Sequence, residues 1–281
     1  MPPPPGFAVA PATASALQAL LALESVSQIW FDEGRVVPLG GTALNVTGNV
    51  TLVSEGTGAI LDGEGRSRLV HVSGQLRLVH MNLQNGQAVN GGCALVGGSG
   101  ATLLLEQSWM ANCSAMHGGA AYVRHGTLGM SKRSAVANCT ATASGSMSAL
   151  GGALYLEAGS LHLDGSTISD TSTWTERGPS YGGAVYVESG TVHARASAIS
   201  RTSCHSSLGE AYGAGLYLNG GDLQFWESSI SDTLATALNN MAWGGALMIH
   251  DGSVLIARST ILRSRVSTIG NMACARLHAR L

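Results

Sequence analysis

The feature that most constrains this chain is a glycine-led hexapeptide that recurs six times. It is written Gly91-Gly92-Cys93-Ala94-Leu95-Val96, Gly118-Gly119-Ala120-Ala121-Tyr122-Val123, Gly151-Gly152-Ala153-Leu154-Tyr155-Leu156 and Gly182-Gly183-Ala184-Val185-Tyr186-Val187, with further copies opening at Gly213 and Gly244. The spacings are 27, 33, 31, 31 and 31 residues, a period that belongs to repeat architectures. Each unit continues with a second apolar alternation and then a segment of the type Ser-x-Ile-Ser, so each predicts three short strands separated by turn residues. Upstream, Leu44-Asn45-Val46 with Val50-Thr51-Leu52, and Leu69-Val70-His71-Val72 with Leu76-Arg77-Leu78, fit the same template. Eight coils are therefore expected.

One such unit cannot bury its apolar face alone, so the coils must stack, each strand pairing in parallel with its equivalent in the next coil. The inward columns stay apolar throughout: Leu154, Val185, Leu216, Leu247; then Leu156, Val187, Leu218, Ile249; then Ile168, Ile199, Ile230, Ile261. The reading is an all-β, right-handed parallel β-helix over residues 40–270. An N-terminal extension with a capping helix (1–39, helix from about Ala14 to Ser25) precedes it, and a tail (271–281) follows. Pro2 to Pro5 reads as a short polyproline segment, and the last coil is expected to present an open edge, as in a piece of a longer chain.

The Gly-Gly-Ala-φ-Tyr units resemble the repeats of right-handed β-helix proteins of the pectin-lyase-like superfamily, and especially the Gly-Gly-Ala-Ile motifs of chlamydial polymorphic outer-membrane proteins. The resemblance spans roughly Thr42 to Arg265. The Phe-x-x-Asn companion motif of that family is matched loosely by Trp109-Met110-Ala111-Asn112 and Ala135-Val136-Ala137-Asn138. The resemblance implies an adhesin-like protein at the cell surface or outside the cell. It also brings a second reading, a polysaccharide lyase or glycoside hydrolase, because the superfamily contains both. Hydrolysis needs paired carboxylates facing one cleft, and the family's Gly-His-Gly and Arg-x-Lys strings do not occur here. Lys132 is the only lysine, so the pairing of calcium-binding acids with a basic catalyst is also missing.

Composition narrows the partners. A net charge of −2 from 15 basic and 17 acidic residues, without long runs, argues against nucleic acid. No stretch is apolar enough for a membrane helix. The five cysteines lack Cys-x-x-Cys spacing, and His162 and His193 share a column with no third ligand, so neither metal nor cofactor is expected. Cys113 and Cys139 should be neighbours in adjacent coils, either as a disulfide or as two buried thiols. Sequons occur at Asn45, Asn49, Asn112 and Asn138. The column Asp170, Arg201, Asp232, Arg263 alternates in sign and reads as a ladder of ion pairs, preceded by the stacked asparagines Asn85, Asn112 and Asn138.

One column lacks an obvious structural task. Tyr122, Tyr155, Tyr186 and Tyr217 occupy one outward position in four coils, with Glu157 and Glu188 beside them. An aromatic stripe next to small residues suits an extended glycan or a surface protein. These six residues are the expected ligand-binding set, and the stripe is expected to meet water. The opposing possibility is that the loops Ser172 to Tyr181 and Ser203 to Tyr212, which end in Tyr181, Tyr212 and, one coil on, Trp243, fold over it. The chain would then be a structural spacer.

Overall fold

The computed structural model describes residues 6–269 and the strand Ala273–Cys274. The polyproline segment and the rest of the expected tail lie outside the described residues. Strands account for 52% of the chain and helix for 3%. All pairings between strands are parallel, in four sheets running along the solenoid, as expected of stacked coils. The solenoid has about six turns, fewer than the eight coils expected. The first face nevertheless has eight strands. Among the described residues the fourth sheet has five strands, the first of them Ala149–Leu150, so the coils entered at Leu44, Val70, Ala94 and Ala121 have no strand there.

The first face comprises strands such as Leu154–Leu156, Val185–Val187 and Leu216–Leu218. A second face includes Gly159–Asp164 and Thr191–Arg195, and a third includes Thr167–Ser169 and Ala198–Ser206. The fourth sheet has two-residue strands, among them Ser180–Tyr181, Ala211–Tyr212 and Ala242–Trp243. The register is the one the columns predict: Leu154 pairs with Val185 and Val185 with Leu216, Leu156 with Val187, and Ile168 with Ile199. Side chains alternate across each strand, so these columns face one continuous core, in which Leu154, Val185, Leu216 and Ile168 are buried, while Ile261, in the last of the coils, is exposed.

The glycine pair turns the chain from the fourth sheet into the first face. Gly182 has φ +60, and a Cβ there would lie 2.3 Å from the Val185 carbonyl oxygen; at Gly183 it would lie 2.3 Å from that of Ala214. The first position needs a left-handed backbone, the second a close approach to the next coil.

A second internal feature holds the corner between second and third faces. Ser108, Ser134, Ser166, Ser197 and Ser228 are buried, and each hydroxyl caps a carbonyl of its own coil while most also accept an N–H from the coil before. Ser197 Oγ accepts from Ser166 N at 3.1 Å and donates to Arg195 O at 2.8 Å; Ser228 Oγ accepts from Ser197 N at 3.1 Å. Each satisfied buried N–H avoids a penalty of roughly 1–3 kcal/mol.

At the N-terminal end the helix spans Ala14–Leu21, shorter than expected, with Thr13 Oγ1 accepting from Ala16 N at 3.3 Å as its cap. Leu17 and Leu21 are buried, whereas Ile29 reaches the core from the strand Gln28–Trp30. Gln18 imitates a neighbouring strand: its amide donates to Asn45 O at 3.1 Å and accepts from Asn45 N at 2.6 Å. That covers part of an otherwise bare edge.

The cysteines pair differently from either expectation for Cys113. Its N–H does donate to Cys139 Sγ at 3.4 Å, so the two are neighbours, yet the disulfide joins Cys113 to Cys93, with Cα atoms 5.6 Å apart. Cys93 follows the glycine pair and Cys113 follows the Asn112 corner, so both point into the same coil and meet there. Cys139 remains a buried thiol, its pKa pushed up by burial to about 12.

Candidate functional site

The tyrosine column exists as predicted. Tyr122 pairs in register with Tyr155, Tyr155 with Tyr186 and Tyr186 with Tyr217, flanked by Leu95 and Met248. Tyr155, Tyr186 and Tyr217 stack, with centroids 5.2 and 5.3 Å apart and Tyr186 and Tyr217 parallel to within 1°, whereas the Tyr122 ring, 4.7 Å from Tyr155, is tilted by 45°. Its predicted exposure is not found. Tyr155, Tyr186 and Tyr217 are only 8%, 7% and 7% exposed, and Tyr122 is half-buried.

The cause is the fourth sheet. Its last residues form a second column, Tyr181 paired with Tyr212 and Tyr212 with Trp243. The glycine turn between this sheet and the first face brings the two columns together in a corner. Tyr181 and Tyr212 stack on each other at 4.9 Å and present their edges to the first column: Tyr181 meets Tyr217 at 4.9 Å and 66°, and Tyr212 meets Tyr217 at 6.0 Å and 67°. Offset-stacked and edge-to-face pairs are favourable arrangements for rings. Further toward the N-terminus the covering position is held by His117, 5.7 Å from the Tyr155 ring, with its Nδ1 3.0 Å from Asn90 Oδ1.

The acidic partners are engaged. The Tyr122 hydroxyl donates to Glu157, which also lies 3.7 Å from Arg124. Tyr186 donates to Glu188 Oε2 at 2.6 Å, Asn219 Nδ2 reaches the other Glu188 oxygen at 3.0 Å, and Tyr212 donates to Glu210 Oε2 at 2.5 Å. Burial, and then these carboxylates, hold the tyrosines of the corner protonated well above the ordinary range. Tyr217 is pushed up to about 12, by burial first and then by its Tyr181 and Glu188 neighbours.

The corner opens at its C-terminal end, in a cleft of about 490 Å3 lined by Tyr181, Glu210, Tyr212, Tyr217, Met241, Trp243, Met248 and His250. Here the first column has changed from tyrosine to Met248, and Trp243 is only half-buried. Of the predicted set, only Tyr217 borders this cleft. Tyr122, Tyr155, Tyr186, Glu157 and Glu188 lie along the closed part of the corner. Glu210 and Met241 escaped the sequence reading, whereas His250 continues the outward face of Arg124, Glu157, Glu188 and Asn219; the signal for Glu210 is its place two residues before an aromatic that precedes a glycine turn.

The other singled-out columns are structural in geometry. The alternating charges resolve into two separate bidentate pairs, not a continuous ladder. Arg201 holds Asp170 through two contacts of 2.7 Å, and Arg263 holds Asp232, the second of its two contacts being 2.8 Å. Asn85, Asn112 and Asn138 share a left-handed corner, with φ 56, 54 and 53. His162 and His193 stack at 5.2 Å and 3°, and His193 Nδ1 lies 3.2 Å from Gln224 Oε1. Among the described residues no group of three or more His, Cys, Asp or Glu could hold a metal ion, and no helix is long and apolar enough to cross a membrane.

No family model, no curated protein and no solved structure matches this chain. Function is therefore argued from the corner itself.

Proposed function

We propose that this solenoid is a non-catalytic binding protein that takes an extended, neutral glycan at the C-terminal mouth of the aromatic corner. The observation that carries the reading is the cleft: half-buried aromatic faces of Tyr212 and Trp243, set against Met248 and bordered by Glu210 and His250. Sugar rings present apolar faces that pack on aromatic rings and hydroxyls that pair with polar rims. The cleft bears no lysine or arginine, which favours a neutral ligand over a polyanion. Glu210, at the cleft, accepts the Tyr212 hydroxyl, an engagement that suits a rim better than a general acid. The Cys93–Cys113 disulfide supports an extracellular or cell-surface site of action, since such bonds persist in oxidising compartments.

The deciding experiment screens the full chain against a glycan panel, alongside Trp243→Ala, with thermal melts confirming that the variant folds. A glycan retained by the wild type and lost by Trp243→Ala supports the reading. Equal retention by both contradicts it. A second reading, a structural spacer, is favoured by the burial of Tyr155, Tyr186 and Tyr217; it predicts that no glycan is retained by either protein.

A further inference from the structure

Away from the aromatic corner, the repeat departs from its own pattern at one place. At the corner between the second and third faces, a single residue normally separates the strand end from the buried serine: Gln107 between Glu106 and Ser108, Gly165 between Asp164 and Ser166. In the coil between them there are two, Lys132 and Arg133, standing between Ser131 and Ser134. Strand pairing on either side is kept, with Glu106 opposite Ser131 and Trp109 opposite Ala135, so the extra residue is absorbed at the corner itself. Lys132 keeps the left-handed backbone that this corner has in other coils (φ 54, against 47 at Gln107 and 50 at His80), whereas Arg133 adds a second left-handed residue, φ 67, a conformation that costs energy for residues other than glycine. The serine ladder is interrupted there too: the Ser134 N–H donates to Ser131 O of its own coil at 3.1 Å, whereas Ser166 N and Ser197 N donate to the serine hydroxyl of the next coil.

Beside this insertion lies a cavity of about 360 Å3 whose lining includes His80, Gln107, Trp109, Lys132 and Arg133. Its charge is lopsided in a chain of net charge −2. Of the carboxylates beside it, Glu33 accepts from Thr57 N at 2.8 Å, and Glu106 is held between Arg77 at 2.7 Å and Lys132 at 2.6 Å. The Arg133 guanidinium has no ion-pair partner among the described residues and is exposed. Two cations, Lys132 and Arg133, thus line the cavity, with an imidazole and a half-buried indole alongside, while the carboxylates beside it are Glu106, paired with Lys132, and Glu33, which lies against Gly56. Insertions in solenoid repeats commonly build binding surfaces, and strained residues cluster where a site requires them.

We infer that this cavity is a second binding site, for a small tetrahedral oxyanion, such as a phosphate or sulfate group, carried free or as an ester. Arg133 supplies a planar pair of donors, Lys132 a point charge and His80 a further donor, while Trp109 offers a face to whatever bears the group. The inference does not depend on the aromatic mouth.

The test titrates inorganic phosphate, and separately inorganic sulfate, into the full isotope-labelled chain at ionic strength held constant with chloride. Amide shifts are followed by NMR. Arg133→Gly is the informative variant, because glycine suits the left-handed backbone, so the fold should be at least as stable while the guanidinium is gone. Saturable shifts around Trp109, Lys132 and Arg133, weakened about tenfold or more in Arg133→Gly but not in Arg195→Ala, support the site. Saturation by one anion and not the other tells which ester to seek. Shifts that never saturate, or that weaken equally in both variants, overturn it.

Discussion

The aromatic corner has a closed length and an open mouth, and the two are built from the same repeat. Along the closed length Tyr155, Tyr186 and Tyr217 stack on one another, are covered by His117, Tyr181 and Tyr212, and are 7–8% exposed. One coil further on, methionine replaces tyrosine at Met248, tryptophan replaces tyrosine at Trp243, and a cleft opens. Two substitutions in register convert a seal into a surface. In a solenoid each coil contacts only its neighbours, so one coil can change role without disturbing the rest of the stack.

The comparison is broken most forcefully by truncation. Removing a ring from the closed length, Tyr186→Ala, should cost about 3–5 kcal/mol by chemical denaturation, the range for a buried aromatic. Trp243→Ala at the mouth should cost less than about 2 kcal/mol, since part of its surface already meets water, while abolishing ligand retention. Comparable losses at both positions would erase the distinction. Finer cuts separate ring from hydroxyl. Tyr186→Phe leaves the stack and removes the bond to Glu188, costing about 1 kcal/mol. Tyr217→Phe should change stability by less than about 0.5 kcal/mol, because no hydroxyl partner holds Tyr217 among the described residues.

Alkaline pH gives the most selective effect. A tyrosine whose folded pKa is raised contributes stability that is fully present below the unfolded value of about 10. Above it the unfolded chain ionises first, so stability falls as pH rises. For Tyr217 this window runs from about 10 to about 12. Ultraviolet titration should show the stacked tyrosines ionising only with unfolding. A free-tyrosine titration curve in folded protein would mean that the corner is open along its length.

The solenoid was legible because its signals are periodic and redundant. The glycine turn at Gly182, the aliphatic columns at Leu154 and Ile168 and the tyrosine register all point to one stacking, and the strands pair accordingly. The serine ladder was equally periodic at Ser166, Ser197 and Ser228, but serine before a strand also reads as turn punctuation. The covering of the tyrosines was legible only as an alternative to exposure, through the aromatic loop ends at Tyr181, Tyr212 and Trp243. It depends on strands of two residues, such as Ala211–Tyr212, too short to carry a period. The partner of Cys113 was hidden for a related reason: stacking names the neighbour in the next coil, Cys139, whereas Cys93 lies across the interior of the same coil.

The central claim is that the mouth, and not the closed stack, is the ligand surface. Its most direct test is an NMR titration of the full chain with whichever glycan the panel retains. The account predicts amide and side-chain shifts concentrated at Tyr212, Trp243, Met248 and His250, with Tyr155 and Tyr186 unmoved. Shifts centred on Tyr122, Tyr155 and Tyr186 would contradict it.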